Sequence, residues 1–169
     1  MKLKNLILVA AMIVAASASV FGQKTEESKK VFGVIETMFA EMANHNPTGI
    51  AALWTKDSNL AALVTRRDGK KQNVAFTGEA FSKNFAEKRN EIKEVMYKPT
   101  VEIDGDLAMV YGRYVFFSDG KLSHCGLNAF HLIRIDGTWK IANAISSMEP
   151  TGCTKKEKSI KPPAMPEKK

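Results

Sequence analysis

Between Thr100 and Pro150 the chain repeats one pattern, an extended apolar-rich segment followed by an Asp-Gly turn. The segments are Thr100–Ile103, Asp106–Phe117, Lys121–Ile135 and Thr138–Met148; the turns are Asp104-Gly105, Ser118-Asp119-Gly120 and Asp136-Gly137. Asp-Gly suits the positive φ of tight hairpin turns, and β-branched and aromatic residues fill the flanking strands. This pattern predicts a large curved antiparallel meander. A sheet of that length cannot leave an apolar face bare, so the helices upstream have to cover it.

Upstream, Val31, Val34, Ile35, Met38, Phe39 and Met42 form a helical stripe from Glu26 to about Asn44. Pro47 ends that helix. A short second helix is expected at Thr48–Trp54, capped by Thr48. Asn59–Arg66 reads as a strand, Arg67–Lys70 as a turn and Gln72–Phe76 as the returning strand. Thr77 is placed to cap a helix, with Glu79 in its first turn and Phe81 and Phe85 on one side. Ile92–Ile103 leads into the meander. No internal repeat is found. Alternating βα units are absent, so the fold class is α+β and a parallel sheet is not expected.

Both ends differ from the body. Lys2 and Lys4 precede an 11-residue apolar run, Leu6–Ala16, and small residues follow. This is the pattern of a secretory signal peptide at 1–22, cleaved after Ala18 or Gly22, with Gly22 preferred. The expected address is therefore periplasmic or secreted. The domain is expected to span 23–154, and the Lys/Pro-rich segment 155–169 is expected to be a disordered tail. The net charge of +7 belongs mostly to the ends: the body holds 17 basic and 16 acidic residues. A nucleic-acid-binding face would need Lys and Arg clustered on the domain itself, so none is expected. No second apolar run suggests a membrane span. The two cysteines, Cys125 and Cys153, are expected to form a disulfide in an oxidising compartment; two buried free thiols are the alternative.

The element order resembles the nuclear transport factor 2-like superfamily, also known as ketosteroid isomerase-like or SnoaL-like. The residues carrying the resemblance are Gly78-Glu79-Ala80-Phe81, Gly105-Asp106-x-Ala108-x-Val110, Asp119-Gly120, and Phe130-x-Leu132-x-Arg134-x-x-Gly137-x-Trp139-Lys140-Ile141. The stretch His124–Cys153 is similar to exported bacterial members of unknown role. The resemblance implies a cone, a strongly bent antiparallel sheet wrapped around the first helix with a pocket between them. Such curvature needs glycines or bulges, and Gly112 and Gly126 sit mid-strand. The resemblance also implies a homodimer through the outer sheet face, here Tyr111, Arg113, Val115, Phe117, His131 and Ile133. Fold alone does not assign activity.

Strand alternation sorts the faces. If Phe130 and Leu132 face inward, so do Asn128, Gly126 and His124. If Trp139 and Ile141 do, so do Asn143, Ile145 and Ser147. Ala108, Val110, Gly112, Tyr114 and Phe116 form one set on their strand, and a bulge would swap any of these. The pocket candidates are Trp54, Tyr97, Tyr114, His124, Asn128, Phe130 and Asn143. Asn128 and Asn143 are amides on an apolar face: either a polar floor for a ligand, or partners of each other, of backbone or of buried water. His124 is either a general base or a solvated strand end. The inward strand positions carry no Asp or Glu on this reading, which argues against an isomerase. The three His are not spaced as metal ligands, and no cofactor signature is present. Two readings stand. One is a non-catalytic domain that binds a small apolar molecule or self-associates. The other is a lyase or isomerase acting on a hydrophobic carbonyl compound, polarised by His124, Tyr114 or Asn128.

Overall fold

The computed structural model describes residues 26–87 and 90–162. The expected signal peptide at 1–22 and residues 163–169 lie outside them. Helix α1 covers 26–43. It is followed by α2 (Pro47–Ala52), β1 (Trp54–Thr65), β2 (Lys71–Thr77), α3 (Gly78–Lys83), β3 (Ile92–Met96), β4 (Thr100–Asp104), β5 (Leu107–Ser118), β6 (Lys121–Ile135), β7 (Thr138–Met148) and α4 (Lys155–Ser159). The stripe on α1 is the core face: Val31, Ile35, Met38, Phe39 and Met42 are buried against Val110, Phe130, Leu132 and Ile141. Glu27 pins the start of α1 to the sheet, because its Oε1 accepts from Arg134 Nη1 and Trp139 Nε1, each at 2.8 Å. The cap of α2 is Asn46, not Thr48; its side chain accepts from Gly49 N, and Pro47 occupies the first helical turn, where a missing N–H costs nothing.

The strands form one bent sheet in the order β2-β1-β7-β6-β5-β3, with β4 sharing the β5 edge with β3. The architecture is the α+β cone. One detail corrects the all-antiparallel expectation: β1 and β7 run parallel. Their connection is everything between them, so no turn residue encodes it. Two bulges bend the meander, Ser123 opposite the Phe116–Phe117 step and Ala142 opposite the His131–Leu132 step, and the β1–β7 register also shifts between Trp54 and Asn59. At Gly126 a Cβ would stand 1.8 Å from the carbonyl oxygen of Ser147, so only glycine permits this approach of β7.

The C-terminal segment is the main departure from expectation. Residues 155–162 fall within the expected disordered tail, but α4 begins there with a complete capping box, Thr154 and Glu157 each bonding the other's backbone. Glu157 is fully buried. It accepts from Arg113 Nε at 2.7 Å and from the Tyr97 hydroxyl at 2.8 Å. The Lys and Pro of this stretch suit solvent, but the one Glu among the described residues of the segment docks on a sheet arginine. A second apolar cluster lies under the segment: Val115, Phe117, Cys125 and Cys153, with Leu122, Val95, Tyr97 and Ile160 packed on it. Cys125 and Cys153 are disulfide-bonded, with Cα atoms 5.6 Å apart.

This cover also corrects the expected self-association face. Val115 and Phe117 are buried, and Arg113 is paired with Glu157. Exposed on the outer face are, among others, Leu107, Met109, Tyr111, His131 and Ile145. Among the described residues, no helix is long and apolar enough to cross a membrane.

Candidate functional site

A cavity of about 250 Å³ opens between α1, α3 and the concave sheet. Its walls are apolar. Met38, Phe39 and Met42 come from α1, Phe81 from α3 and Phe85 just beyond it; Leu60, Val74, Phe76, Phe116 and Phe130 come from the sheet. The polar lining residues are Glu94, Asn128, Ser146, Tyr114, His124 and Asn84. An apolar pocket with a few convergent polar groups is the usual form of a small-molecule site.

Glu94 is the residue that sequence reading missed. The expectation that no Asp or Glu faces inward is wrong, because β3 carries Glu94 into the cavity opposite Phe116. The signal was available: Met96 is a core residue, and counting back by two along the strand puts Glu94 on the same face. Burial pushes the Glu94 carboxyl up to about 7, against a smaller downward pull from Asn128. Asn128 Nδ2 donates to Glu94 Oε1 at 2.7 Å, and the Ser146 hydroxyl donates to Asn128 Oδ1 at 2.7 Å. The inward amide is therefore satisfied by Ser146 on the neighbouring β7 and by Glu94 on β3, one strand beyond β5, not by Asn143.

Of the pocket candidates, Tyr114, His124, Asn128 and Phe130 line the cavity. Tyr114 donates its hydroxyl to the Ser147 carbonyl at 2.8 Å, and burial raises its pKa well above the ordinary phenol range. His124 is not a solvated strand end. It stacks on Phe116 at 4.6 Å between centroids and meets the edge of Tyr114 at 5.8 Å. Burial lowers its pKa to about 4, so the ring is neutral near pH 7.

Three candidates lie elsewhere. Asn143 turns outward because the Ala142 bulge reverses the alternation of β7: Ala144 and Ser146 face in, while Asn143 bonds His131 and Asn59. Ile145 and Ser147 leave the inward face for the same reason, and Ile145 is 55% exposed. Tyr97 sits on the far side of the sheet, held by Glu157. Trp54 is a core residue packed on Phe81 at 5.9 Å and does not line the cavity. Among the described residues, no group of three or more His, Cys, Asp or Glu side chains is arranged to hold a metal ion.

No protein-family model matches the chain, and no curated protein matches it. Solved structures do. A nuclear transport factor 2-like protein with a cystatin-like fold from Novosphingobium aromaticivorans superposes with a TM-score of 0.63 at 11% identity, over 85% of this chain and 94% of that one. A nuclear transport factor 2-like protein of unknown function from Shewanella baltica gives 0.57 at 14% identity, over 75% and 97%. A suspected dehydratase of the same family from Streptomyces avermitilis gives 0.55 at 14% identity, over 74% and 97%. At these identities the likeness concerns the fold, and it agrees with the resemblance carried by the sequence motifs. The chain has the nuclear transport factor 2-like cone fold, with a cavity at the heart of the cone.

Proposed function

We propose that this domain, after export to the periplasm or the exterior, holds one small, largely apolar molecule in the cone with its polar group against Glu94. The observation that supports this is a carboxyl group inside a cavity walled by aromatic and aliphatic side chains. Burying an acid away from water costs free energy, and such a group is a candidate for function. The test is native mass spectrometry of protein isolated from its own compartment, followed by titration with small apolar molecules. A bound molecule lost on filling the cavity with Ala144→Phe supports the reading. An empty protein that takes up no apolar molecule at millimolar concentration overturns it.

A second reading is proton transfer on a carbonyl compound, of the lyase or isomerase type. It is favoured by Glu94, whose pKa of about 7 suits both giving and taking a proton near neutrality. The suspected dehydratase among the similar structures is in keeping with it. Deuterium exchange next to the carbonyl of an apolar ketone, followed by NMR, tests it. Exchange catalysed by the native protein and abolished in Glu94→Gln is the expected result; equal exchange in both excludes this role for Glu94.

Self-association is proposed on the part of the outer face that the C-terminal segment leaves open. Tyr111, Ala129 and Ile145 lie in one row across β5, β6 and β7, and Met109 lies in the next row. Tyr111, Met109 and Ile145 are exposed, and adjacent exposed apolar residues of this kind suit an interface.

A further inference from the structure

We infer that the cavity selects its ligand by charge, taking apolar amines in preference to neutral alcohols of the same shape and rejecting the matching carboxylates. This deepens the ligand-binding reading above and rests on it. The argument starts from the directions of the hydrogen bonds in the wall. The Ser146 hydroxyl is given to Asn128, the Asn128 amide N–H to Glu94, and the Tyr114 hydroxyl to the Ser147 backbone. These three donors point at protein acceptors, and the series ends on the Glu94 carboxylate. Glu94 Oε1 takes the Asn128 bond. A carboxylate has further acceptor positions, and beside Asn84 and the His124 ring they are what this wall offers a guest. A guest that supplies N–H donors, and a positive charge with them, completes the array.

The charges in the cavity agree. Among the described residues no Lys or Arg lines it, so a guest carboxylate meets no cation among them and faces Glu94. The groups around Glu94 can be named element by element. Helix α1 brings Met38, Phe39 and Met42, none of which titrates; α3 is followed by Asn84, exposed at the rim. Strand β5 brings Tyr114, which stays protonated, and β6 brings Asn128 and His124, which is neutral near pH 7. Strand β7 brings Ser146. Glu94 is thus the group among them whose charge changes near neutrality. The ring faces of the wall are also favourable surroundings for an ammonium group.

The test uses one apolar body with three heads: phenylbutylamine, phenylbutanol and phenylbutyrate, titrated calorimetrically into the intact protein. At about pH 8, above the Glu94 pKa of about 7, the amine should bind at least about tenfold more tightly than the carboxylate, with the alcohol between them. Near pH 7 a second readout applies. An ammonium guest lowers the proton affinity of Glu94, so binding should release protons, seen as a heat that varies with buffer ionisation enthalpy. Glu94→Gln should bring the three affinities to within about twofold of one another. Equal binding of amine and carboxylate by the native protein, or proton uptake with the amine, overturns the charge selection and leaves the pocket reading intact. Failure of all three probes to bind overturns both.

Discussion

Glu94 holds an acid in an apolar cavity, and that placement couples folding to pH. Its carboxyl rises from 4.5 to about 7 on folding, so the folded state holds the proton more tightly than the unfolded chain. The sign follows. The stabilising contribution is complete below the unfolded pKa and is lost as pH rises through about 7, leaving the cost of a buried carboxylate above it. That loss is at most on the order of 3 kcal/mol. Glu94→Gln removes the titration and keeps a polar group beside Asn128. The expected outcome is a variant more stable than the native protein at pH 8, with the advantage shrinking or reversing at pH 5. Urea denaturation at the two pH values checks it, and an unchanged difference between them contradicts the desolvation of Glu94.

At the scale of elements, the C-terminal segment and the outer face of the sheet depend on each other. Val115 and Phe117 need a cover, and residues 149–162 supply it through the disulfide, Ile160 and the buried Glu157. Burial raises the Glu157 carboxyl, but Arg113, the Thr154 backbone and hydroxyl, and Tyr97 outweigh it and hold the pKa at about 2. This contribution has the opposite sign to that of Glu94. It is present above the ordinary carboxylate range and lost as pH falls through about 2. Deleting Lys155–Lys169 removes Glu157 and leaves Arg113 and Tyr97 without it. The expected cost is about 2 kcal/mol, or ~6 °C in melting temperature at pH 7. Glu157→Gln should recover part of it. A deletion variant that melts with the native protein would show that α4 does not dock in solution.

For the molecule as a whole, the covered half of the outer face narrows where a second copy can sit. The open row through Tyr111 and Ile145 is self-complementary only if a two-fold axis brings it against its own copy. A double substitution, Tyr111→Glu with Ile145→Glu, is expected to give a folded monomer, because both side chains are already exposed at 45% and 55%. Sedimentation at tens of micromolar separates the outcomes. A native protein that is already monomeric there removes the dimer, and a variant that stays dimeric moves the interface elsewhere.

What the sequence determined by itself follows from local periodicity and turn chemistry. The α1 stripe, the hairpins at Gly105, Gly120 and Gly137, and the inward set from His124 to Leu132 all depend on neighbours a few residues away. Those glycines all adopt positive φ, and the β6 set is buried as the alternation predicts. The site was half legible for the same reason: Tyr114 follows from alternation along β5, His124, Asn128 and Phe130 from alternation along β6, and Glu94 could have followed from Met96. The tertiary structure alone decided the rest. The Ala142 bulge, set by pairing across β6 and β7, turned Asn143 out and Ser146 in. The parallel contact of β1 with β7 joins strands separated by most of the domain. Glu157 is buried because Arg113, 44 residues away, happens to lie beneath it. A single-strand pattern carries no record of an extra residue in the ladder or of a distant partner. Both arise where separate segments meet, and there packing and charge pairing override local preference.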